Sequence, residues 1–253
     1  MSLKHIDGFD QFQGQSSQQL LTSLQAAGYA VSNGIAMAPG RKPNGFALEL
    51  QVSPGAGGAS WSSRTNTVRA NLNAVAANQQ GRFVAVGDGG NATTSVDGIN
   101  WATLVMGTSK NLRGVECYAG TYIVVGDGGL IMRSVDGQVW STRSAPNAAA
   151  NLRDVACNGS RWIAVGASGT IGAIIVSDDD GMTWANIAEN TGTQGNLCVE
   201  YGDTWVIGGS RGQVLTSPDG LNYTSRVTST ASDINDIAFD NGLWLAAAGT
   251  GTL

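Results

Sequence analysis

Charge is scarce in this chain. Charged residues make up 13% of its 253 positions, with only 3 lysines and 4 glutamates. A formal charge of −5 leaves no basic footprint for nucleic acid and no polybasic stretch for an anionic membrane, so neither nucleic-acid binding nor membrane insertion is expected. Histidine occurs once, at His5, which excludes a Ser-His-Asp triad and a multi-histidine metal site within one chain. The 3 cysteines are too few for a disulfide framework, so the core must come from apolar burial. Nowhere do about 18 apolar residues run together, and the opening MSLKHIDGFDQFQGQ has no apolar stretch, which predicts a soluble chain without signal peptide or membrane span. Apolar residues at 42% argue equally against disorder.

Glycine is abundant: 36 residues against 5 prolines, a composition that suits many short strands joined by tight turns. The chain repeats itself. Residues 111–150 begin NLRGVECYAGTYIVVGDGG and residues 151–190 begin NLRDVACNGSRWIAVGASG; related units lie at 71–110 and about 196–232, with a partial copy from Asp233 onward. Two aromatic series hold the register, Phe83, Tyr122, Trp162, Trp205, Trp244 and Trp61, Trp101, Trp140, Trp184, Tyr223, each recurring every 39 to 44 residues. Within the second unit, strands are predicted at 112–118, 121–126, 130–135 and 139–144, broken by Gly-Asp-Gly and Asp-Gly turns. Consecutive four-stranded meanders of about forty residues predict a β-propeller. A β-sandwich with chance internal similarity is the competing fold.

The second aromatic of each unit closes a motif. It reads Ser95-x-Asp97-Gly98-x-x-Trp101, Ser134-x-Asp136-Gly137-x-x-Trp140, Ser177-x-Asp179-x-Gly181-x-x-Trp184 and Ser217-x-Asp219-Gly220-x-x-Tyr223. The residue types suit a hairpin: the carboxylate can accept backbone N–H bonds, the glycine takes positive φ, and the aromatic covers the turn. The third copy resembles the Asp-box of BNR repeats, a family in which this turn lies away from the ligand-binding face, so the resemblance implies a structural role for these residues. The competing metal reading of Asp178-Asp179-Asp180 lacks the spaced ligands of a calcium loop.

Trp61 marks a further fourth strand, since ASWSSRT (59–65) matches QVWSTRS (138–144), yet no first strands precede it. Residues 233–253 supply first strands without a fourth. The expectation is an all-β, five-bladed propeller with blades at about 71–110, 111–150, 151–195 and 196–232 and a composite blade from 45–66 plus 233–253. An open or longer propeller is the alternative. Residues 1–44 stand outside the repeat as an arm with one short helix over about 17–27, carrying Leu20, Leu21 and Leu24 on one face.

Catalytic signals are sparse. Sialidases also use Asp-box propellers, but they need an arginine triad, a tyrosine nucleophile with its glutamate, and an acid/base aspartate. Here Arg64, Arg143, Arg226, Arg113 and Arg153 recur at repeat-equivalent positions instead, which suits structure rather than one asymmetric centre. Cys117 and Cys157 occupy equivalent inner positions and read as core residues. No enzyme activity and no cofactor or metal are expected. A binding face, if present, falls opposite the Asp-boxes, with Asp88, Asp127 and Arg211 as candidates beside Asn71, Asn111 and Asn151. The repeated asparagines are expected to fix the backbone of their own turns.

The start HIDGFDQF, followed by GRKPNGFALEL (40–50), resembles tailed-bacteriophage virion proteins. That resemblance implies a non-enzymatic tail-tip, baseplate or fibre component located in the virion. Its arm would bind other tail or baseplate proteins, its propeller would contact host glycan or protein, and tail symmetry would make it a homo-oligomer. The alternative from the repeats alone is a bacterial Asp-box propeller that binds a protein partner or acts as an assembly factor.

Overall fold

The computed structural model describes residues 68, 70–169, 171–187 and 195–249, with the backbone of Val31–Ser32 (β1) and Ile35–Ala36 (β2), which pair as a short hairpin. The expected arm helix over 17–27 and the half-blade 45–66 lie outside the described residues. From Leu72 the chain forms one antiparallel sheet after another. The first comprises β3 (Leu72–Ala77), β4 (Phe83–Gly87), β5 (Asn91–Ser95) and β6 (Ala102–Val105). The second comprises β7 (Leu112–Tyr118), β8 (Thr121–Gly126), β9 (Leu130–Ser134) and β10 (Ser141–Arg143). The third comprises β11 (Asn151–Cys157), β12 (Trp162–Ser168), β13 (Ile171–Ser177) and β14 (Ala185–Asn186). The fourth comprises β15 (Asn196–Tyr201), β16 (Trp205–Gly209), β17 (Val214–Ser217) and β18 (Thr224–Arg226). A two-stranded sheet, β19 (Ile234–Asp240) and β20 (Leu243–Ala248), follows.

The fold is therefore all-β, with four-stranded meanders set side by side in a propeller-like array. Strand order within each sheet follows the chain. First strands pack on first strands, β3 on β7, β7 on β11, β11 on β15 and β15 on β19, whereas the fourth strands are largely exposed. The first strands thus line the inside of the array. The second-sheet strands fall where the valine and aromatic runs place them, except that β10 starts at Ser141 rather than 139, because Val139 and Trp140 belong to the preceding turn.

Alternation along each second strand builds the core. Tyr122 and Val124 face back onto Val84 and Val86 of the first sheet, while Ile123 and Val125 face forward onto Val155, Trp162 and Ala164. The third interface repeats the scheme, with Ile163 and Val165 against Val199, Trp205 and Ile207, and the fourth sets Val206 against Ile237 and Trp244. Tyr122, Trp162 and Trp205 are buried at these seams, each contributing roughly 2–3 kcal/mol of transfer free energy.

The Asp-box turns of the second, third and fourth sheets also rest on the sheet before them. A Cβ on Gly220 (φ +71°) would lie 2.8 Å from Ile163 Cδ1 of the third sheet, and one on Gly137 would lie 2.9 Å from Arg82 Cδ of the first. Gly107 has a similar φ of +67° with nothing near. Gly107→Ala is accordingly expected to cost about 1–2 kcal/mol for backbone strain. Gly220→Ala should cost a further ~1–3 kcal/mol for the clash between sheets, a difference that urea unfolding of the two variants measures.

Candidate functional site

Each first strand carries a β-bulge one or two residues after its start. The register shifts between Leu72 and Ala74, Leu112 and Gly114, Leu152 and Asp154, Asn196 and Cys198, and Ile234 and Asp236. A bulge turns one side chain out of the alternating pattern. The bulged residues are Asn73, Arg113, Arg153, Leu197 and Asn235, all at the end of the array where the turns between second and third strands also lie.

Those turns hold the candidate residues Asp88, Asp127 and Arg211. In the Asp88–Gly90 turn the Asp88 carboxylate accepts from Asn71 Nδ2 at 3.1 Å, Asn73 Nδ2 at 3.0 Å and Arg113 of the next sheet at 3.4 Å. Asp127 is gripped by Arg113 in two-pronged fashion, Nε at 3.1 Å and Nη2 at 2.9 Å, and by Asn111 Nδ2 at 2.8 Å. Burial raises the Asp127 pKa, but the hydrogen bonds of Arg113 and Asn111 outweigh it and leave the pKa below the usual carboxylate range; in return Asp127 raises that of Arg113. Arg211 stands where the other turns have glycine. Its φ of +57° occupies the left-handed region, which holds its side chain at the exposed tip.

The asparagines act differently from the expectation. Asn111 does not fix only its own turn: its Oδ1 accepts the Gly89 N–H of the preceding sheet at 2.8 Å, and Asn151 accepts Gly128 N–H at 2.9 Å. Asp233 takes the Arg211 N–H at 2.9 Å in the same way. These side chains staple neighbouring sheets. Arg113 and Arg153, read from the sequence as structural repeats, stand beside the candidate residues because of the bulge. The pattern of apolar residues carries no sign of that bulge.

The opposite end carries the Asp-boxes. In all four, the serine Oγ donates to the aspartate Oδ1 at 2.8–2.9 Å and accepts the glycine N–H at 2.8–2.9 Å: Ser95, Asp97, Gly98; Ser134, Asp136, Gly137; Ser177, Asp179, Gly181; Ser217, Asp219, Gly220. Each carboxylate also accepts backbone N–H groups further along, such as Ile99 and Asn100 for Asp97. Trp101 and Trp184 donate Nε1–H to the box glycine carbonyl at 3.2 Å, whereas the buried Trp140 Nε1 and Tyr223 Oη make no such bond. The triplet Asp178-Asp179-Asp180 is divided among separate partners: Asp178 meets Arg161, Asp179 sits in its box, and Asp180 accepts from Arg133 and Thr121.

Thr183, by its side chain and then its backbone N–H, holds Asp179 down to about 2, and backbone N–H bonds place Asp97, Asp136 and Asp219 below the usual range. Folded-state values below the unfolded ones stabilise the fold above about pH 4 and lose that contribution as pH falls toward about 2. The urea midpoint is therefore expected to drop across that interval. At neutral pH, Ser217→Ala, which removes a buried hydroxyl from one box, is expected to lower stability by about 1–2 kcal/mol in the same measurement.

No protein-family model and no curated protein matches this chain. The architecture is that of propeller-like, multi-sheet β proteins, and solved structures share it. The structure of YCF48 bound to a D1 peptide superposes with a TM-score of 0.57 at 19% identity, covering 72% of this chain and 63% of that one. YCF48 from Cyanidioschyzon merolae gives 0.59 at 19% identity, over 75% and 68% of the two chains. The GH74 enzyme of Niastella koreensis gives 0.52 at 18% identity, over 72% of this chain and 27% of that one. Likeness at these identities concerns the fold alone.

These comparisons correct the virion reading. The tail, baseplate and host-attachment role and the virion location expected from HIDGFDQF and GRKPNGFALEL are overturned, because the solved structures reported above that share the fold, YCF48 and a GH74 enzyme, are not phage tail proteins. The physical reason is plain. The start that carried the resemblance lies outside the described residues, and the Asp-boxes, which are turn closures, say nothing about what the protein contacts.

Proposed function

We propose that this chain is a non-catalytic, protein-binding propeller of the assembly-factor kind, which takes a polypeptide on the end opposite its Asp-boxes. The carrying observation is the set of bulges that aims one side chain of every first strand at that end, where the Asn–Asp–Arg staples hold the neighbouring turns in place. The staples leave some groups over. Among the described residues, neither Arg153 nor Arg211 forms a salt bridge, although the charge of Arg153 acts on Asp127, and both are exposed. They suit a partner segment that carries carboxylates. The fold likeness to a YCF48 that is bound to a peptide supports the same reading.

Catalysis by carboxylates fits poorly at this end. A glycoside-cleaving pair needs one carboxyl group protonated near neutral pH, and Arg113 keeps Asp127 ionised. The expected result of a pull-down from cell extract is a protein retained by the intact chain and lost with the pair Arg153→Glu and Arg211→Glu, while unfolding curves stay unchanged. Retention equal in both, or turnover of a glycan substrate abolished by Asp127→Asn, contradicts the proposal. Self-association belongs to it as well, and light scattering separates a 26.0 kDa monomer from its multiples.

The finer architecture forms part of the proposal: a five-bladed ring closed by residues 45–66 together with 233–253. Two faces support it. Val75 of the first sheet is 46% exposed, whereas its equivalent Val115 is 7% exposed; Leu245 of β20 is 49% exposed, whereas its equivalent Ile123 is fully buried. One is a backward face and the other a forward face, the two kinds that meet at every observed seam. Spacing agrees. Thr65 precedes Leu72 by seven positions, as Val105 precedes Leu112. Deleting residues 1–66 is expected to produce an aggregating chain, and a chain starting at Asn71 with an unchanged urea midpoint contradicts closure.

A further inference from the structure

The turns between second and third strands differ along the array, and the change falls after the second sheet. Leu72, Leu112, Leu152, Asn196 and Ile234 of the first strands pair with Gly87, Gly126, Gly166, Gly209 and Ala248 of the second strands. The residue that follows is Asp88, Asp127, Ala167, Ser210 and Gly249 in turn. The first two sheets carry a carboxylate there and the next three do not. Arg113 is held between two of these carboxylates, Asp88 of the preceding sheet at 3.4 Å and Asp127 of its own at 2.9 Å. Arg153 occupies the same bulge position one sheet on. It shares the charge of Asp127 on one side, but on the other Ala167 stands where the second carboxylate would be.

The turns without carboxylates are in contact with one another. A Cβ on Gly195 would lie 3.2 Å from Ala167 Cβ and 3.8 Å from Ser210 Oγ, so the turns of the third and fourth sheets meet over Gly195. Gly195 takes the place of Asn111 and Asn151, and has no side chain to staple the turn before it. Arg211 N–H donates to Asp233 at 2.9 Å, and the Asp233 carbonyl accepts Gly249 N–H at 3.0 Å, which continues the contact into the last sheet. The first strands are joined as well: Asp154 accepts Val199 N–H at 3.0 Å, and Cys198 Sγ donates to the Ile234 carbonyl at 3.6 Å. Leu197, half-buried and alone apolar among the five bulged residues, therefore sits between Arg153 and Asn235.

Arg211 adds a second sign of use. It keeps a φ of +57° where the first two sheets have Gly89 and Gly128, a strained backbone that closing the turn does not call for. Asp233 is engaged by the Arg211 N–H, so the third to last sheets present two exposed guanidinium groups, one apolar side chain, and small residues around them.

Resting on the reading of this end as a polypeptide-binding surface, we propose that the bound segment lies across the third to last sheets and presents an apolar side chain between two carboxylates. Arg153 and Arg211 take the carboxylates, and Leu197 takes the apolar side chain. Ala167, Gly195 and Ser210 leave the room that Asp88, Asp127 and their asparagines fill in the first two sheets. The segment is extended, since alternate residues of an extended chain face one side and bring its three contacts onto the surface together.

The test uses the full chain and a fluorescent peptide with the core Asp-Ser-Leu-Ser-Asp, followed by anisotropy. The expected result is saturable binding that weakens as salt rises. Ala167→Asp gives Arg153 the second carboxylate that Arg113 has, and should weaken binding about tenfold with the urea midpoint unchanged. Leu197→Asn should remove the preference for this peptide over one with serine in place of leucine. Lys110→Gln, which changes a cation beside the second sheet, should leave binding as it is. Equal affinity of the unsubstituted chain for the two peptides overturns the proposal. So does a loss with Lys110→Gln as large as that with Ala167→Asp, or unchanged binding by both Ala167→Asp and Leu197→Asn. Absence of peptide binding also overturns it, while the pull-down with the Arg153→Glu and Arg211→Glu pair separately decides whether this end binds a polypeptide at all.

Discussion

The structure depends on one repeated contact, in which the backward face of a second strand presses against the forward face of the sheet before it. Tyr122, Trp162 and Trp205 supply the bulk at three of these seams, and Val84, Ile123 and Ile163 supply the surface they meet. A sheet alone has two apolar faces and cannot hide either. Placed in series, each sheet hides one face of its neighbour, so stability accumulates along the array and the ends are its weak points. Val75 and Leu245 mark those ends, exposed where their equivalents are buried.

Everything polar is organised around keeping those faces apart from water at two rims. At one rim the Asp-boxes satisfy their turns internally, and Gly137, Gly181 and Gly220 allow three of them to settle on the previous sheet. At the other, side chains join different sheets: Asn111 and Asn151 bind turns that precede them, and Arg113 spans two aspartates from adjacent sheets. Among the described residues, Asp88, Arg113 and Asp127 at one rim and Arg133, Arg161, Asp178 and Asp180 at the other are therefore committed to structure.

Much of this was legible from residue order. The repeat, the alternation and the Asp-Gly turns are local patterns, and the four-stranded meanders follow from them. The box geometry was legible too, since serine, aspartate and glycine interact within a few residues. The bulge was not, because it is a shift in pairing between strands and leaves no mark in apolar alternation: Arg113 looks like any strand arginine until its partner strand is known. The asparagines misled for a related reason, since the groups they bind are donated by another repeat, Gly89 to Asn111 and Gly128 to Asn151. The virion reading misled differently, by resting on a short start with no bearing on the repeats.

By itself, the amino-acid sequence determined the sheets: how many residues each repeat spans, where its hairpins turn, and which side chains face in or out. Those are matters of backbone preference and nearest neighbours along the chain. Only the tertiary structure decided which side chains of different repeats meet. The arginine between two aspartates and the asparagines that staple one sheet to the next arise from contacts 14 to 25 residues apart, whose geometry is set by how strands pair and whole sheets pack.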